Sequence, residues 1–262
     1  MPYSRSAGVD IWYEVNGSGP ALVLVHANPF DHDLWLYQAA HFSTWFTVVG
    51  IDIRGYGRSS KVTEPYSLKA MSDDVVGVMR DLGIARAILM GCSVGSGIAI
   101  LSALDHAELF EAVVLVGGNS AASSRYQRRI EGYRADLGAY HVCHMRELVS
   151  QSFAESRLGS HLLNMWVERE PRLEGEAIAQ VFAAGNSTDT TKRLPTMKVP
   201  TLVINGEYDH SLPAGRRTAS LIPGAAHKVL PGTGHACCIE DPAGFDALVI
   251  DFLRSRGLMP AI

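Results

Sequence analysis

The pentapeptide Gly-Cys-Ser-Val-Gly at residues 91–95 constrains the fold of this chain most strongly. The apolar run Ala-Ile-Leu-Met precedes it and a segment of small residues follows it, so the pattern predicts a strand, one sharp turn and a helix. Ser93 stands at that turn, where the backbone is strained and Gly91 and Gly95 must be small because strand and helix approach closely. An outward-pointing, strained serine is a candidate nucleophile.

A serine hydroxyl is a weak nucleophile at neutral pH, so it needs a base, and the base needs an acid that orients it. Both partners follow Ser93 in the chain. An apolar strand over 202–205 ends in Gly206, and Asp209 comes just after it. A second strand leads into a flexible loop that carries His235. The sequence therefore offers a serine, an acid and a histidine in the order that such turns require.

Two further motifs complete a set of four. His-Ala-Asn-Pro at 26–29 follows an apolar strand, and Asp-x-Arg-Gly-x-Gly-x-Ser occupies 52–59. With the serine turn and the Gly-His pair at 234–235, these motifs make the sequence similar to the α/β-hydrolase superfamily over nearly its whole length. The resemblance implies Ser93 as nucleophile, His235 as general base and then general acid, and Asp209 as the residue that orients His235.

The same chemistry needs hydrogen-bond donors for a developing oxyanion. The backbone N–H of Val94 is one candidate, because it lies at the N-terminus of the predicted helix, where free N–H groups favour negative charge. The backbone N–H of Asn28 is the other. Ala27 replaces the glycine that is common at this point of the family motif. If the position required a positive φ, Ala27 would strain the loop and weaken the second assignment.

Other candidate groups fit structural roles better. Cys92 stands one position before the turn, so its thiol is expected to point into the fold. Glu207 shares a loop with Asp209, but the spacing of Asp209 matches the acid loop of the family, and Glu207 is expected at the solvated edge of the cleft. His26 is expected to brace the oxyanion loop, and His227 to be a surface histidine or one with its hydrogen bonds satisfied.

The sequence predicts no metal and no cofactor. Asp31, His32 and Asp33 are clustered, but Asp33 before Leu-Trp-Leu is typical of a helix N-cap, and no partner cluster with ligand spacing is apparent. Neither a G-x-G-x-x-G motif nor a P-loop occurs. The cysteines have no paired spacing and are expected to be reduced thiols: Cys92, Cys143, Cys237 and Cys238.

Composition favours an enzyme with a single core. The 262 residues are 47% hydrophobic, and the net charge of −4 gives no electrostatic basis for binding nucleic acid. We expect no membrane partner, because no apolar stretch approaches the roughly 20 residues of a span and the start of the chain lacks an apolar signal core. A small-molecule ester or lactone partner and a cytoplasmic location follow as expectations. The oligomeric state is not readable from the sequence.

Alternating apolar strands and amphipathic helices predict an α/β fold: a mostly parallel eight-stranded sheet with helices on both faces and a helical cap. Alternation from Val9 to Val15 predicts an edge strand in a starting hairpin. The other predicted strands are 21–26, 47–52, 86–91, 112–117, 199–205 and 226–230. The predicted core helices are 34–44, 67–82, 95–104, 213–221 and 242–256, the last with Asp241 as N-cap and Pro242 in its first turn.

Residues 119–198 lack a strand pattern and are predicted to form a helical cap inserted into a core of residues 1–118 and 199–262. Helical spacing occurs near 124–137, 141–155, 158–169 and 173–184. Its aromatic and apolar side chains either line an acyl pocket or, as we favour, mostly pack the cap on the core: Tyr126, Tyr133, Tyr140, Phe153, Met165, Trp166 and Phe182. Its arginines either bind a substrate carboxylate or occupy solvated helix faces, which we favour: Arg125, Arg128, Arg129 and Arg134.

These features predict hydrolysis of a carboxylic ester or lactone through an acyl-Ser93 intermediate. Tyr66-Ser67-Leu68 at a helix start and the segment from Asn119 to Arg129 are compatible with the enol-lactonase and small esterase branches of the family. The same triad would also serve carbon–carbon bond hydrolysis of a diketone. A lyase or cofactor-free oxygenase that uses the histidine as base, and a ligand-sensing receptor, remain alternatives on this scaffold.

Overall fold

A computed structural model describes residues 2–118, 120–121, 124–169 and 172–260 of the chain, without the side chain of residue 124. Asn119, which contributes to the branch resemblance, lies outside the described residues. Eight strands form one sheet: β1 (Tyr3–Ser6), β2 (Val9–Asn16), β3 (Ala21–Val25), β4 (Thr47–Ile51), β5 (Ala87–Cys92), β6 (Phe110–Val116), β7 (Thr201–Gly206) and β8 (Ala226–Leu230).

The sheet has the strand order β1-β2-β4-β3-β5-β6-β7-β8. Strand β2 is antiparallel to both of its neighbours, and all other neighbouring strands are parallel. The predicted mostly parallel eight-stranded α/β fold is therefore confirmed. The predicted edge position of the strand from Val9 is wrong, because β1 covers that edge with Tyr3 opposite Trp12. Four residues are too few to give β1 a clear alternating pattern.

The helices follow the strands in an alternating order. They are α1 (Leu36–Phe42), α2 (Leu68–Asp81), α3 (Val94–Asp105), α4 (Ser124–Ala135), α5 (Leu137–Glu147), α6 (Gln151–Glu155), α7 (Arg157–Val167), α8 (Gly175–Asn186), α9 (Leu212–Leu221), α10 (Cys237–Glu240) and α11 (Pro242–Ser255). Asp241 caps α11 through the backbone N–H of Gly244, as the sequence predicts.

Alternation along the parallel strands divides the core into two layers. Val23 of β3 and Leu89 of β5 pack in the layer that contains α2 and α3. Their neighbours Leu22 and Ile88 point to the opposite face, where α1 and α11 pack. Because both faces are covered, the central strands are apolar at nearly every position, which is typical of parallel sheets.

Helices α4 to α8 occupy the chain between β6 and β7. The single helix predicted over 141–155 is two helices, because Ser150 adopts an extended conformation and its side chain accepts a hydrogen bond from the backbone N–H of Phe153. Helix α8 packs into the core beside α3 through Ile178 and Phe182. The assignment of residues 119–198 as a separate cap stays a prediction. Across the described part of the chain, every helix is too short or too polar to cross a membrane.

Leu89 provides a test of the central layer. It is fully buried on β5 between Val23 and Val113, so we expect Leu89→Ala to lower the free energy of unfolding by about 2–5 kcal/mol, since a cavity forms beside rigid strands. Urea denaturation measures the loss. Leu158→Ala is the matched control, because Leu158 is exposed on α7 and its truncation should stay within about 0.5 kcal/mol of the parent. Equal effects of both changes would contradict the described packing.

Candidate active site

Ser93 lies in the turn between β5 and α3 with a backbone conformation that non-glycine residues rarely adopt. Its φ of 55° and ψ of −114° lie outside the common regions, as the pattern predicts. The backbone N–H of Ser93 donates to the carbonyl of Val116 at 2.8 Å, which ties the turn to β6. The side chain is half-buried, and makes no capping hydrogen bond to α3.

The two glycines of the pentapeptide are required by a close backbone approach. A Cβ on Gly91 would collide with the carbonyl of Gly95, and a Cβ on Gly95 would collide with the carbonyl of Val25. These obstacles are backbone atoms, which cannot rotate away as a side chain can. The turn therefore brings α3 close to β5, as the sequence predicts, and also close to β3.

Asp209 and His235 lie on the loops that follow β7 and β8. The distance from His235 Nδ1 to Asp209 Oδ1 is 2.8 Å. An ionised carboxylate only accepts hydrogen bonds, so Nδ1 carries a proton and donates it to Asp209. In the tautomer that this bond selects for a neutral ring, Nε2 is the nitrogen with the lone pair. The His235 ring lies over Gly117, where a Cβ would approach Cε1 to 2.5 Å. Ser93 and His235 line the same cavity.

Asp209 is buried and accepts several hydrogen bonds besides the one from His235. Asn205 Nδ2 donates to it at 2.8 Å, and the backbone N–H of Ser211 donates at 2.7 Å. The Ser211 hydroxyl lies 2.8 Å from Oδ2. Burial opposes ionisation of Asp209, but His235 and these donors outweigh it and hold the pKa of Asp209 well below its usual value. The carboxylate is therefore charged at neutral pH.

The two predicted oxyanion donors lie at neighbouring strand ends. Val94 is the first residue of α3, so its backbone N–H has no acceptor one turn earlier in the helix. Asn28 follows β3, is buried and lines the cavity. Ala27 is fully buried and does not appear among the residues with a positive φ, so no glycine is needed there. The strain considered for Ala27 is absent.

His26 holds the loop after β3. Its Nε2 accepts a hydrogen bond from the backbone N–H of Ile53 at 3.0 Å, and Nδ1 lies 3.0 Å from the carbonyl of Ala27. Burial lowers the pKa of His26, which keeps the ring neutral as this arrangement requires. His227 has its Nε2 3.0 Å from Asn205 Oδ1, so both histidines have hydrogen-bond partners, as expected.

The loop after β3 also contacts α7. Asp31, not Asp33, caps the short 3-10 helix His32–Trp35, because Asp31 is extended and accepts from the backbone N–H of Asp33. The predicted N-cap at Asp33 is therefore wrong by two residues. Arg169 pairs with both carboxylates at 2.7 Å, and Trp166 Nε1 donates to Asp31 at 3.0 Å. The carboxylates of the Asp-His-Asp cluster thus bind an arginine.

The cavity at Ser93 has a volume of about 300 Å³. Of the aromatic residues in the β6–β7 segment, Tyr126 and Phe182 line it, and Tyr133 stacks behind Phe182 with centroids 5.9 Å apart. Trp166 instead packs on Phe30 and binds Asp31. The predicted mixture of lining and packing roles is therefore observed.

His210 is a residue of this site that the sequence analysis did not consider. Its ring stacks on His235 with centroids 4.6 Å apart, and burial together with the nearby His235 lowers its pKa to about 3. Asp209, His210 and His235 offer three potential metal-ligand atoms within 4.8 Å of one another. Since the Nδ1 atom of His235 and the Asp209 carboxylate bind each other, their arrangement is explained without an ion.

Several supporting residues also escaped the sequence analysis. Asn205 and Ser211 fix Asp209, Gly117 makes room for the His235 ring, and Glu240 accepts from the backbone N–H groups of Gly234 and Ser150. Ser211 follows Asp209 by two residues, a spacing at which a carboxylate commonly accepts from the backbone, and this signal was available. The contacts of Gly117 with His235 and of Glu240 with Ser150 join residues that are distant in sequence.

The cysteines and Glu207 have the expected surroundings. All four cysteines are free thiols, and Cys92 is fully buried with its pKa raised by burial. Cys237 and Cys238 are fully buried as well. Glu207 is exposed and accepts from the backbone N–H of Gly232 at 2.8 Å. None of these groups takes the place of Ser93 or Asp209.

The chain belongs to the alpha/beta hydrolase family, because the family model for the alpha/beta hydrolase fold matches residues 20–242. The enol-lactonase of Burkholderia xenovorans LB400 is similar in structure, with a TM-score of 0.91 and 28% identity over 97% of this chain and 100% of that chain. The AB hydrolase superfamily protein YisY of Bacillus subtilis is 28% identical over 94% of this chain and 96% of its own length.

A third relative extends the range of chemistry. The 2-hydroxy-6-oxononadienedioate/2-hydroxy-6-oxononatrienedioate hydrolase of a Pseudomonas species is 29% identical over 79% of this chain and 77% of its own length. The similar proteins therefore include a lactonase and a hydrolase of a different substrate type. Membership of the hydrolase family is shared, while the substrate differs among them.

Gly95→Ala tests the close approach at the turn. Added volume against the carbonyl of Val25 should cost about 1–3 kcal/mol of unfolding free energy, because backbone must move. Gly97→Ala is the control in the same helix, since its Cβ would meet only the Leu68 side chain at 3.5 Å and should add about 0.5–1 kcal/mol through helix propensity. Chemical denaturation compares the two variants. A higher free energy of unfolding in both variants would contradict the close contact between Gly95 and the carbonyl of Val25.

Proposed function

We propose that this chain is a serine hydrolase that cleaves a carboxylic ester or lactone through an acyl-Ser93 intermediate. The observation that carries the proposal is the 2.8 Å hydrogen bond between His235 and buried Asp209, with the strained Ser93 in the wall of the same cavity. A neutral imidazole with Nδ1 committed to a carboxylate has one remaining function at Nε2, which is to accept a proton.

In the first step, Ser93 Oγ attacks the carbonyl carbon and His235 Nε2 takes its proton. Asp209 keeps the ring in the correct tautomer and stabilises the imidazolium that forms. The low pKa of Asp209 suits this role, because the carboxylate stays ionised and does not take the proton itself. The N–H groups of Val94 and Asn28 then donate to the substrate oxygen as it becomes negative.

Acylation is completed when His235 returns its proton to the leaving oxygen as the carbon–oxygen bond breaks. With an ester the alcohol departs, whereas with a lactone it remains attached to the acyl group. Water, deprotonated by His235, then hydrolyses the acyl-Ser93 bond and restores the hydroxyl. We propose that residues 119–198 act as a cap that shapes the substrate space and limits access of bulk water.

The similarity to an enol-lactonase over the whole chain supports the ester or lactone assignment. Carbon–carbon hydrolysis of a diketone-type substrate is a second candidate, favoured by the relative named for hydrolysis of an oxo-dioate. Both reactions use the same triad, so they differ in the substrate accepted rather than in the nucleophile. Turnover of a diketone without turnover of esters or lactones would select the second candidate.

Ser93→Ala tests the nucleophile. We expect hydrolysis of short-chain p-nitrophenyl esters and simple lactones to fall by about 10³-fold or more, because no acyl-enzyme can form. Steady-state rates give this ratio. Cys92→Ala, one residue away and buried, should retain activity within a few fold. Equal rates in wild type and Ser93→Ala would overturn the nucleophile assignment and favour the lyase or oxygenase alternative.

Asp209→Asn tests the acid. The amide donates to Nδ1 of His235 and turns the ring to the wrong tautomer, so kcat should fall by about 10⁴-fold while the fold persists. Glu207→Gln on the same loop is the control and should change kcat less than a few fold, because Glu207 is exposed. Measured kcat values on one ester decide between the two acids. A larger loss in Glu207→Gln would reverse the assignment.

A further inference from the structure

Arg129 differs from the other arginines of α4 in its burial. Its side chain is 9% exposed, whereas the side chains of Arg128 and Arg134 are 66% and 49% exposed. Arg134 pairs with Glu176 on the outer surface at 2.7 Å. A solvated helix face, the interpretation favoured from sequence, thus accounts for Arg128 and Arg134 but not for Arg129.

The guanidinium of Arg129 is only partly paired. Its Nη2 atom lies 2.7 Å from Glu147 Oε2. Its Nη1 atom is buried and has no hydrogen-bond partner among the described residues. A buried charged donor without an acceptor is costly, and native proteins rarely retain one without a reason. The Nη1 edge of Arg129 therefore lacks an acceptor that a ligand can supply.

Arg129 lies between two adjoining cavities. It lines the cavity that contains Ser93 and His235, and it also lines a neighbouring cavity of about 230 Å³ together with Arg125 and His210. Glu147 is the acid of this neighbouring cavity, and it is shared by Arg128 at 3.1 Å and Arg129 at 2.7 Å. Arg125, Arg129 and His210 line both cavities, so the two adjoin at these side chains.

Among the described residues, two arginines and no acidic side chain line the cavity of Ser93. The arginines are Arg125 and Arg129. His144, which also lines it, is held neutral by burial and then by the charge of Arg129, which together lower its pKa well below the usual value. Asp209 lies behind His235 and is bound by it. The cavity therefore favours an anionic ligand.

We propose that the substrate of this site carries a carboxylate, and that Arg129 binds it through Nη1 while Ser93 attacks the ester or lactone carbonyl. The proposal rests on the proposed function and adds the substrate class. A planar carboxylate matches the guanidinium fork and supplies the acceptor that Nη1 lacks. Arg129 is thus the residue that distinguishes acidic esters from neutral ones.

Two matched pairs of substrates test the preference. The half p-nitrophenyl ester of adipic acid is compared with p-nitrophenyl hexanoate, and the butyrate ester of 3-hydroxybenzoate with phenyl butyrate, so that the carboxylate lies on the acyl side or the alcohol side. We expect kcat/KM to favour the acidic member of at least one pair by about 10- to 100-fold, the effect of a charge-assisted hydrogen bond. The preference should appear mainly in KM.

Arg129→Gln should bring the ratio of kcat/KM between the acidic and the neutral member of the preferred pair down to about one. Arg129→Lys, which keeps the charge but not the fork, should restore part of the preference. Arg134→Gln, on the same helix and outside both cavities, is the control and should keep the full preference. Circular dichroism and the melting temperature identify any variant that fails to fold. The ratio of kcat/KM between acidic and neutral esters is also measured on the wild type, so this part of the test does not depend on a variant that folds.

A binding measurement separates this inference from the proposed function. Glutarate should raise the melting temperature of wild type and Arg134→Gln, relative to sodium chloride of equal ionic strength, and not that of Arg129→Gln. Ser93-dependent hydrolysis with equal kcat/KM within both pairs and no effect of glutarate would overturn the inference while the proposed function stands. Arg129-dependent glutarate binding without any Ser93-dependent hydrolysis would support the anion site and overturn the proposed function.

Discussion

The close contact between the N-terminus of α3 and the ends of β5 and β3 is the constraint on which the site depends. Gly91 and Gly95 allow backbone to touch backbone there, and this contact forces Ser93 into its strained conformation. The same contact aligns the first N–H of α3 with the loop after β3, where Asn28 lies. Ser93 and the proposed oxyanion donors are thus positioned by main-chain packing, which side-chain motion cannot relax.

Charge is distributed around the cavity in two separate systems. Behind His235, Asp209 is surrounded by hydrogen-bond donors that keep it ionised. These donors belong to the protein, so the negative charge of Asp209 is stabilised without a ligand. In the wall of the cavity, Arg129 retains a buried donor without an acceptor. The first system is complete without a ligand, and the second is not. This asymmetry is the structural basis for the proposed selection of acidic substrates.

The central strands, the strained turn at Ser93 and the N-cap at Asp241 could be predicted from the sequence, because each is encoded within a few residues by apolar runs, glycines and capping side chains. The bond between Asp209 and His235 was expected from the family resemblance. Asp31 could not be distinguished from Asp33 as the N-cap, since the choice depends on the extended backbone of Asp31, and both residue types are common at N-caps. The buried state of Arg129 was equally inaccessible, because four arginines within ten residues resemble an ordinary solvated face.

Asp31 is bound by side chains that lie far from it in the sequence. Asp31 lies three residues from Asn28, and its partners Trp166 and Arg169 lie at the end of α7 and just beyond it. A recombination event that replaced helices α4 to α8 alone would leave a buried carboxylate without its cation in the loop after β3. The two stretches of sequence are therefore expected to be inherited together, although more than a hundred residues separate them.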